Sequence, residues 1–259
     1  MFEKRIIIGG LPRSGSTLLR FILDSSESVI SGPETRFFLE PLYRHQMMVD
    51  KTAKVLHNKL NLEKDCMIGA INNAANTFEA YDNIMLKYME LTGDRKAAWA
   101  EKTPINSFHY HRLVAENNEA YFISTVRNGL DVVTSIIENK SNDYWCTVQR
   151  YIDCMRSIYS FNHPNHIILK YEDLVTKPEK ALKTVFEFLD LPFSENIIDN
   201  FNKESKTRDF SKVNQPKLKH SIQPTWVNRY KEPQHIAKVQ EFINNEQAIY
   251  WFEKSGYTL

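Results

Sequence analysis

The residues of this chain with the clearest chemical meaning lie near its start, in a glycine-containing loop. The loop reads Gly10-Leu11-Pro12-Arg13-Ser14-Gly15-Ser16-Thr17 and follows the apolar run Ile6-Ile7-Ile8. Its glycine spacing is that of a phosphate-binding P-loop, GxxxxGK[ST], but Ser16 stands at the position of the lysine. Such a loop wraps an anion in backbone N–H groups at a helix N-terminus, and this does not depend on lysine. The sequence therefore predicts an anion site without the usual apparatus for a metal-bound triphosphate.

A second pair of polar residues follows a later β-rich run. Arg127 comes directly after Ser124-Thr125-Val126, and Ser135 lies eight residues further on, in a helix that we expect to begin at about Gly129. An arginine and a hydroxyl at the carboxyl edge of a parallel sheet are suited to a second phosphate. The alternative is an exposed arginine with a serine that only faces its own helix.

Two further segments carry charged side chains just after predicted strands. Glu34 lies in Ser31-Gly32-Pro33-Glu34-Thr35-Arg36, and Lys102 lies in Trp99-Ala100-Glu101-Lys102-Thr103-Pro104. For Glu34 the structural alternative is an ion pair with Arg36 or a cap on the helix after Thr35. For Lys102 it is a surface lysine at a strand end, the common fate of lysines.

These residues must be positioned by the elements around them, and the pattern is that of βαβ units with a parallel sheet. The predicted strands are 5–9, 28–31, 98–101, 121–126 and 166–171, and the predicted helices are 16–25, 129–140, 143–160, 178–189 and 235–254. Residues 37–93 have apolar positions at helical spacing without a strand signal, which predicts a helical insertion. Residues 202–233 are polar and aperiodic, which predicts a long irregular loop.

Composition favours one domain and argues against several classes of partner. The 259 residues are 42% hydrophobic, and we expect a single domain over 1–259. Since 33 basic residues balance 32 acidic ones, no nonspecific binding of nucleic acid is expected. Neither a signal peptide nor a membrane span is recognisable, so we expect a cytoplasmic protein. Cys66, Cys146 and Cys154 lack zinc or redox spacing and are interpreted as buried thiols. Oligomeric state is not readable.

Taken in order, PRSGSTLL, VRNGLDVVTS and LKYEDL resemble three motifs of the sulfotransferases that use 3′-phosphoadenosine 5′-phosphosulfate as donor. The resemblance runs from about residue 6 to 174, with a looser similarity over 208–230. The segment G-x-E-T-R resembles tyrosylprotein sulfotransferases, and P-E-T also resembles many bacterial enzymes that act on smaller acceptors. The resemblance implies a three-layer P-loop-type α/β fold with a central parallel sheet of about five strands.

The resemblance also implies roles for individual residues. The 5′-phosphosulfate would be held by Arg13, Ser14, Gly15, Ser16 and Thr17, and the 3′-phosphate by Arg127 and Ser135. Glu34 would be the general base that takes the proton of an acceptor hydroxyl. Lys102, helped by Arg13, would stabilise the negative charge that develops on the oxygen bridging phosphorus and sulfur. No metal is expected.

Other residues receive weaker assignments. Tyr171 ends the fifth predicted strand and is expected to touch the nucleotide or to belong to the core. Ser211 lies in a segment, through Trp226, that resembles the family's lid over the nucleotide, although Thr225 stands where a basic residue is common. His109 and His111 are interpreted as structural or acceptor-contacting, not as the base.

The sequence predicts a sulfotransferase acting on a hydroxyl acceptor. A small molecule, sugar or lipid precursor in a bacterial cytosol is favoured over a peptide tyrosine. The alternatives are a P-loop kinase for a small molecule and a noncatalytic nucleotide-binding protein on the same scaffold.

Overall fold

The centre of the molecule is a parallel sheet of five strands. The computed structural model describes residues 2–42, 45–135, 146–207 and 222–259. The strands lie in the order β2-β3-β1-β4-β5, and they are β1 (Lys4–Gly10), β2 (Val29–Ile30), β3 (Ala98–Lys102), β4 (Tyr121–Val126) and β5 (His166–Lys170). In register, Ile8 of β1 faces Lys102 of β3, and Gly10 of β1 faces Thr125 of β4. The five predicted strands and the α/β fold are confirmed.

Helices cover the sheet. In chain order they are α1 (Ser16–Asp24), α2 (Gln46–Leu60), α3 (Lys64–Asn72), α4 (Thr77–Thr92), α5 (Tyr110–Glu116), α6 (Gly129–Val133), α7 (Val148–Ser160), α8 (Tyr171–Thr176), α9 (Pro178–Leu189), α10 (Ile197–Thr207), α11 (Ile236–Ile243) and α12 (Glu246–Lys254). Short 3₁₀ turns cover Phe37–Leu39, Pro104–His109, Arg229–Lys231 and Pro233–His235. The predicted insertion over 37–93 is confirmed as helical, because α2, α3 and α4 lie within it.

Alternate residues of the strands pack on opposite faces of the sheet, as a strand period of two requires. On one face Ile7, Trp99 and Phe122 pack against the insertion and α5. On the other face Ile6, Ile8 and their neighbours pack against α1, α8, α9 and α10. Because both faces are covered, the middles of the strands are apolar, and the charged residues of the strands lie near their ends.

Several predicted boundaries differ from the structure; the helix expected over 143–160, for example, begins at Val148. The helix expected over 235–254 is interrupted at Asn244 and Asn245, because the Asn245 side chain accepts a 3.0 Å hydrogen bond from the Ala248 N–H and starts α12. The helix expected over 129–140 ends at Val133. The irregular loop expected from residue 202 is wrong up to Thr207, where α10 ends; this helix is anchored by buried Ile197 and Phe201. Residues 208–221 lie outside the described residues.

Two of the three cysteines are buried thiols as expected, and the third is not. Cys146 and Cys154 are buried, whereas Cys66 is exposed on α3. None of the three forms a disulfide bond within the described residues. Burial raises the pKa of the Cys154 thiol to about 12, so this thiol stays protonated and packs as a small apolar side chain.

Candidate active site

Each of the five strands delivers one candidate residue to the same edge of the sheet. Arg13 follows β1, Glu34 follows β2, Lys102 ends β3, Arg127 follows β4 and Tyr171 follows β5. The carboxyl ends of parallel strands meet at one edge, so residues far apart in sequence are brought together there. The chain leaves β1 toward one side of the sheet, to β2, and leaves β4 toward the other side, to β5. An open α/β sheet forms its ligand crevice between two strands whose connections diverge in this way.

The glycine loop is tied to the end of β4. The Leu11 N–H donates to the Thr125 carbonyl at 3.0 Å, and the buried Ser14 hydroxyl lies 2.6 Å from the Thr125 hydroxyl. Ser14 therefore uses its hydroxyl to shape the loop, and only Ser16 and Thr17 of the predicted serine and threonine set begin the helix.

The N-terminus of α1 has the form of an anion site. Gly15 is its N-cap residue with φ of 85°, a left-handed conformation that glycine adopts without strain, and no side chain of the described residues caps the helix. The N–H groups of the first turn, from Ser16 onward, have no partner within the helix, and the helix dipole adds a partial positive charge there. This geometry agrees with the anion loop predicted from the sequence.

Tyr171 connects the loop to the second predicted phosphate site. It does not end β5 as expected; it opens α8, because β5 ends at Lys170. Its ring packs so closely on the loop that a Cβ atom on Gly15 would lie 2.5 Å from the Tyr171 Cδ2 atom. The Arg127 guanidinium lies 4.8 Å from the centre of the same ring. Burial raises the pKa of the Tyr171 hydroxyl, so it stays protonated.

This packing gives a prediction for Gly15→Ala. The substitution adds a side chain at φ of 85° and pushes it into the Tyr171 ring, so we expect the free energy of unfolding to fall by about 2–4 kcal/mol and affinity for adenosine 3′,5′-bisphosphate to fall at least tenfold. Gly93→Ala is the matched control, because Gly93 has φ of 76° with nothing within 4 Å of an added Cβ. Denaturant unfolding and calorimetric titration measure both effects. Equal losses in the two variants would show that the Tyr171 contact is unimportant.

Arg127 is almost fully buried, at 5% exposure, and it is held by backbone atoms. Its Nη1 donates to the Arg13 carbonyl at 3.1 Å, and its Nη2 donates to the Trp226 carbonyl. The Nη2 atom also lies 3.6 Å from the buried carboxylate of Asp131. Within the described residues the buried Nε atom has no hydrogen-bond partner. A buried guanidinium with a free donor is unusual unless a further acceptor binds it.

Asp131 organises the chain over this arginine. It is buried on α6, and its two carboxylate oxygens accept hydrogen bonds from the Asn228 N–H at 2.9 Å and from the Tyr230 N–H at 3.0 Å. The segment that follows the predicted lid is thereby fixed beside Arg127. Sequence reasoning missed this residue, and the signal was an acidic side chain inside the otherwise apolar stretch of α6.

Two other residues predicted to contact the nucleotide, Ser135 and Ser211, are placed less directly. Ser135 is not on a second turn of α6, because it lies in a bend after the helix, where its hydroxyl donates to the Val132 carbonyl at 2.8 Å. It also lies 3.3 Å from the Cys146 Sγ. Ser211 lies outside the described residues.

Glu34 and Lys102 form the central ion pair of the edge. The Lys102 Nζ donates to Glu34 Oε2, and the Lys102 side chain is only 5% exposed, so the alternative of a surface lysine is wrong. Glu34 is 31% exposed, and its other oxygen lies 3.7 Å from Arg36 Nε. Burial lowers the pKa of Lys102, and the Glu34 carboxylate opposes this shift. The structure thus brings together the two residues predicted as base and electrostatic stabiliser.

Arg20 supports the loop that carries Glu34 and was not predicted. It is a buried arginine on α1 whose Nη1 donates to the carbonyls of Ser31, at 3.1 Å, and Gly32, at 2.6 Å. A charged residue within the apolar helix STLLRFILD was the sequence signal that could have indicated it. The helix that begins at the anion loop therefore also fixes the segment before Glu34.

The two histidines lie at the start of α5. The His111 ring packs edge-to-face on Phe161 with 5.2 Å between ring centres, a packing contact. His109 precedes α5, and partial burial lowers its pKa. Both placements agree with the structural interpretation.

The fold and the site define a three-layer α/β protein with a P-loop-like glycine loop that lacks the P-loop lysine. The model of the sulfotransferase family matches residues 5–195, and the chain belongs to that family.

Known relatives agree with this membership, and a solved structure shares the fold. The chain is 30% identical to protein-tyrosine sulfotransferase A of Caenorhabditis elegans over 209 residues, 74% of this chain and 51% of that protein. It is 25% identical to a putative protein-tyrosine sulfotransferase of Caenorhabditis briggsae over 266 residues, 97% of this chain and 82% of that protein. The sulfotransferase domain of the Synechococcus PCC 7002 olefin synthase has the same fold, with a TM-score of 0.72 at 20% identity over 99% of this chain and 95% of that one. The chain thus spans about half the length of the first of these relatives.

Proposed function

We propose that this protein transfers a sulfonate group from 3′-phosphoadenosine 5′-phosphosulfate to a hydroxyl acceptor. The observation that carries the proposal is the Glu34–Lys102 pair at the carboxyl edge of the sheet, beside an anion loop without the P-loop lysine. A carboxylate and an ammonium in contact are suited to removing a proton and neutralising a leaving oxygen in one event. Family membership supports the same reaction.

The residues at this edge fit the donor. The uncapped N-terminus of α1, with Ser16 and Thr17, suits the 5′-phosphosulfate, and Arg13 lies exposed at the same loop. The Nε of Arg127, which has no hydrogen-bond partner in the described part of the chain, suits the 3′-phosphate, and Tyr171 lies between the two sites. The bound donor would supply an activated sulfonate on a phosphate leaving group.

The two central residues then divide the proton and charge work. Glu34 accepts the proton of the acceptor hydroxyl as that oxygen bonds to sulfur and the bond from sulfur to the bridging oxygen breaks. The electron pair of the broken bond goes to the phosphate, where Lys102 stabilises it, helped by Arg13. Because Glu34 becomes neutral as it takes the proton, the Lys102 ammonium loses its carboxylate partner just as the leaving phosphate gains charge. The pair therefore stabilises the transition state more than it stabilises the ground state.

Metal independence is part of the proposal. Among the described residues, no three His, Cys, Asp or Glu side chains are grouped so that they could hold a metal ion. Arg13, Lys102 and Arg127 supply positive charge where a kinase would use lysine and Mg²⁺.

The acceptor is proposed as a hydroxyl compound, with a phenolic or alcoholic oxygen near Glu34. The names of the two nematode relatives refer to protein tyrosine, which adds support to a peptide tyrosine over the smaller acceptors favoured by sequence alone. Incubation with ³⁵S-labelled donor and a panel containing a tyrosine peptide, a simple phenol, a sugar and a lipid alcohol decides between them. Transfer to none of them, with binding of the donor product intact, would favour a noncatalytic nucleotide-binding protein.

The proposed location is the cytoplasm, supported by three cysteines that form no disulfide bond within the described residues, as is typical of reducing compartments. In residues 2–42, 45–135, 146–207 and 222–259, no helix has the length and apolar character needed to cross a bilayer.

Thermal unfolding tests the donor site without knowledge of the acceptor. At a hundredfold excess over Kd, adenosine 3′,5′-bisphosphate adds about 2.7 kcal/mol to the native state. We therefore expect Tm to rise by about 5–10 °C with chelator present and no metal added. Arg127→Ala should remove most of this shift. Stabilisation by ATP with Mg²⁺ but not by the bisphosphate would overturn the proposal in favour of the kinase alternative.

A further inference from the structure

A buried carboxylate lies beside the proposed catalytic pair, and the proposed reaction does not use it. Glu101 is 1% exposed in β3, next to Lys102 in sequence. Successive strand residues point to opposite faces of a sheet, so Glu101 lies on the face of the helical insertion and Lys102 on the face of α1. Glu101 therefore cannot act on the same substrate atoms as Lys102.

Four donors surround this carboxylate. Glu101 Oε1 accepts from the Thr35 hydroxyl at 2.9 Å, from the Thr35 N–H at 3.3 Å and from the Thr103 hydroxyl at 2.8 Å. Glu101 Oε2 accepts from Asn106 Nδ2 at 2.7 Å. An ionised carboxylate only accepts hydrogen bonds, and this one is satisfied from both loops of the site.

The donors are the sequence neighbours of the catalytic pair. Thr35 directly follows Glu34, and Thr103 directly follows Lys102. The Thr103 hydroxyl also accepts the Arg36 N–H at 3.2 Å, which closes a ring of hydrogen bonds between the two loops. We define Glu101, Thr35, Thr103 and Asn106 as the carboxylate frame. The two segments that carry Glu34 and Lys102 are thus joined on the opposite face of the strand from their own contact.

A buried charge at this place is costly compared with an apolar residue of similar volume. Burial raises the pKa of Glu101, and the hydrogen bonds from Asn106, Thr103 and Thr35 oppose this shift. Charge-assisted hydrogen bonds are about twice as strong as neutral ones and more demanding in geometry. Such a group suits the task of fixing two loops at one spacing better than the task of adding stability.

We propose that Glu101 is a positioning residue for sulfonate transfer, which acts through Thr35 and Thr103 to hold the Glu34 carboxylate and the Lys102 ammonium opposite each other. The proposal rests on the proposed function. Glu101 touches neither donor nor acceptor. A displacement of about 1 Å in a reacting group costs about a hundredfold in rate, so the spacing set by the frame governs turnover directly.

Glu101→Gln is the principal test. The amide keeps the volume and the Oε1 acceptor, but its Nε2 would face Asn106 Nδ2, so that two donors meet. Asn106 can turn its amide only by giving up its 3.3 Å hydrogen bond to the Ile8 carbonyl. We expect kcat with the best acceptor of the panel to fall about a hundredfold, while Kd for adenosine 3′,5′-bisphosphate changes by less than about twofold.

Two further variants separate positioning from simple stability. Asp82→Asn is the matched control. Asp82 is also a buried carboxylate, but it accepts hydrogen bonds from Arg5 Nη2 and from Trp99 Nε1, each at 2.6 Å, rather than from residues of the carboxylate frame. The substitution should lower Tm and leave kcat per bisphosphate-binding site unchanged. Thr35→Val keeps Glu101 and removes one hydrogen-bond donor to it, and we expect kcat to fall about tenfold. In the double variant with Glu101→Gln the two losses of kcat should not add, because both changes break the same carboxylate frame.

A crystal structure of Glu101→Gln with adenosine 3′,5′-bisphosphate bound gives a measure that needs no acceptor. We expect Lys102 Nζ and Glu34 Oε2 to be out of contact in the variant and in contact in the wild type. An unmoved pair, or an unchanged kcat in both Glu101→Gln and Thr35→Val, would overturn the proposal for Glu101. If the wild type neither binds the bisphosphate nor transfers sulfonate, the proposed function fails instead, and the two failures are distinguishable.

Discussion

Replacing Glu34 by glutamine is expected to lower kcat by about 10²–10⁴-fold, the range in which general base catalysis contributes. Glutamine has the same shape but cannot accept the proton of the acceptor hydroxyl at neutral pH. Because Glu34 faces Lys102 and not Arg127, the affinity for adenosine 3′,5′-bisphosphate should stay within about twofold of the wild-type value. Single-turnover transfer of ³⁵S-sulfonate measures the first quantity, and calorimetric titration measures the second.

Arg36→Gln serves as the control for this variant. It removes the other ion-pair partner of Glu34. The Arg36 Nε atom lies 3.7 Å from Glu34 Oε1, and the Arg36 side chain is 63% exposed, so this pair contributes little to stability. If Glu34 mattered only through this ion pair, the two variants would lose the same activity. Loss of bisphosphate binding in Glu34→Gln would also count against Glu34 as the base.

Replacing Lys102 by methionine is expected to lower kcat by about 10²–10³-fold, as removal of a single transition-state stabiliser does in other enzymes. Methionine fills the space of the lysine stem at this buried position without its charge. The wild-type rate should fall at alkaline pH as Lys102 loses its proton, and burial moves this fall below the pH of an ordinary lysine. In Glu34→Gln the opposing carboxylate is gone, so the fall should move to still lower pH. The dependence of kcat on pH in the wild type, Glu34→Gln and Lys102→Met measures these shifts.

Lys170→Met is the matched control, because Lys170 also ends a strand of the sheet but donates to the Gly256 carbonyl at 3.3 Å. Its kcat should be close to that of the wild type. If Lys102→Met retained more than about a third of the wild-type kcat, Lys102 could not be the transition-state stabiliser proposed here.

The strands could be predicted from sequence because their signal is local. Runs such as Ile6-Ile7-Ile8 are apolar on both faces, and a parallel strand covered by helices on both sides requires this. The order of the strands had no such local signal. It depends on which helices cover which face, and these contacts are settled only when the chain packs.

Helix ends were harder to predict, because short side-chain hydrogen bonds decide them. Helix α6 ends early where the Thr134 hydroxyl donates to the Leu130 carbonyl at 2.7 Å and Ser135 donates to the Val132 carbonyl. Such bonds compete with the helix, and the apolar spacing used for prediction does not record them. The prediction that Tyr171 ends a strand is wrong for a related reason, because the strand pattern does not record the start of the next helix. Glu172 and Asp173 in the first turn of α8 favour a helix N-terminus there.

The candidate site was predicted as a set of residues, but its internal contacts were not. Glu34, Lys102 and Arg127 could be noted as charged residues after predicted strands, and the resemblance to sulfotransferase motifs implied their roles. Arg20, Asp131 and Glu101 were missed because each acts on backbone or hydroxyl groups of another segment. The role of a buried charged residue depends on which groups it contacts, and those contacts form only when the chain folds.

The delivery of one candidate residue by each strand has a consequence for refolding. No two adjacent strands carry the whole set, and the residues involved extend from Arg13 to Tyr171. Sheets that join distant parts of a chain form slowly, because the loops between them must close before the contacts stabilise them. Partly folded forms with one unpaired edge strand would contain secondary structure and no working centre. Recovery of activity would therefore follow the last strand to join, and would lag behind the return of helical signal in a circular dichroism trace.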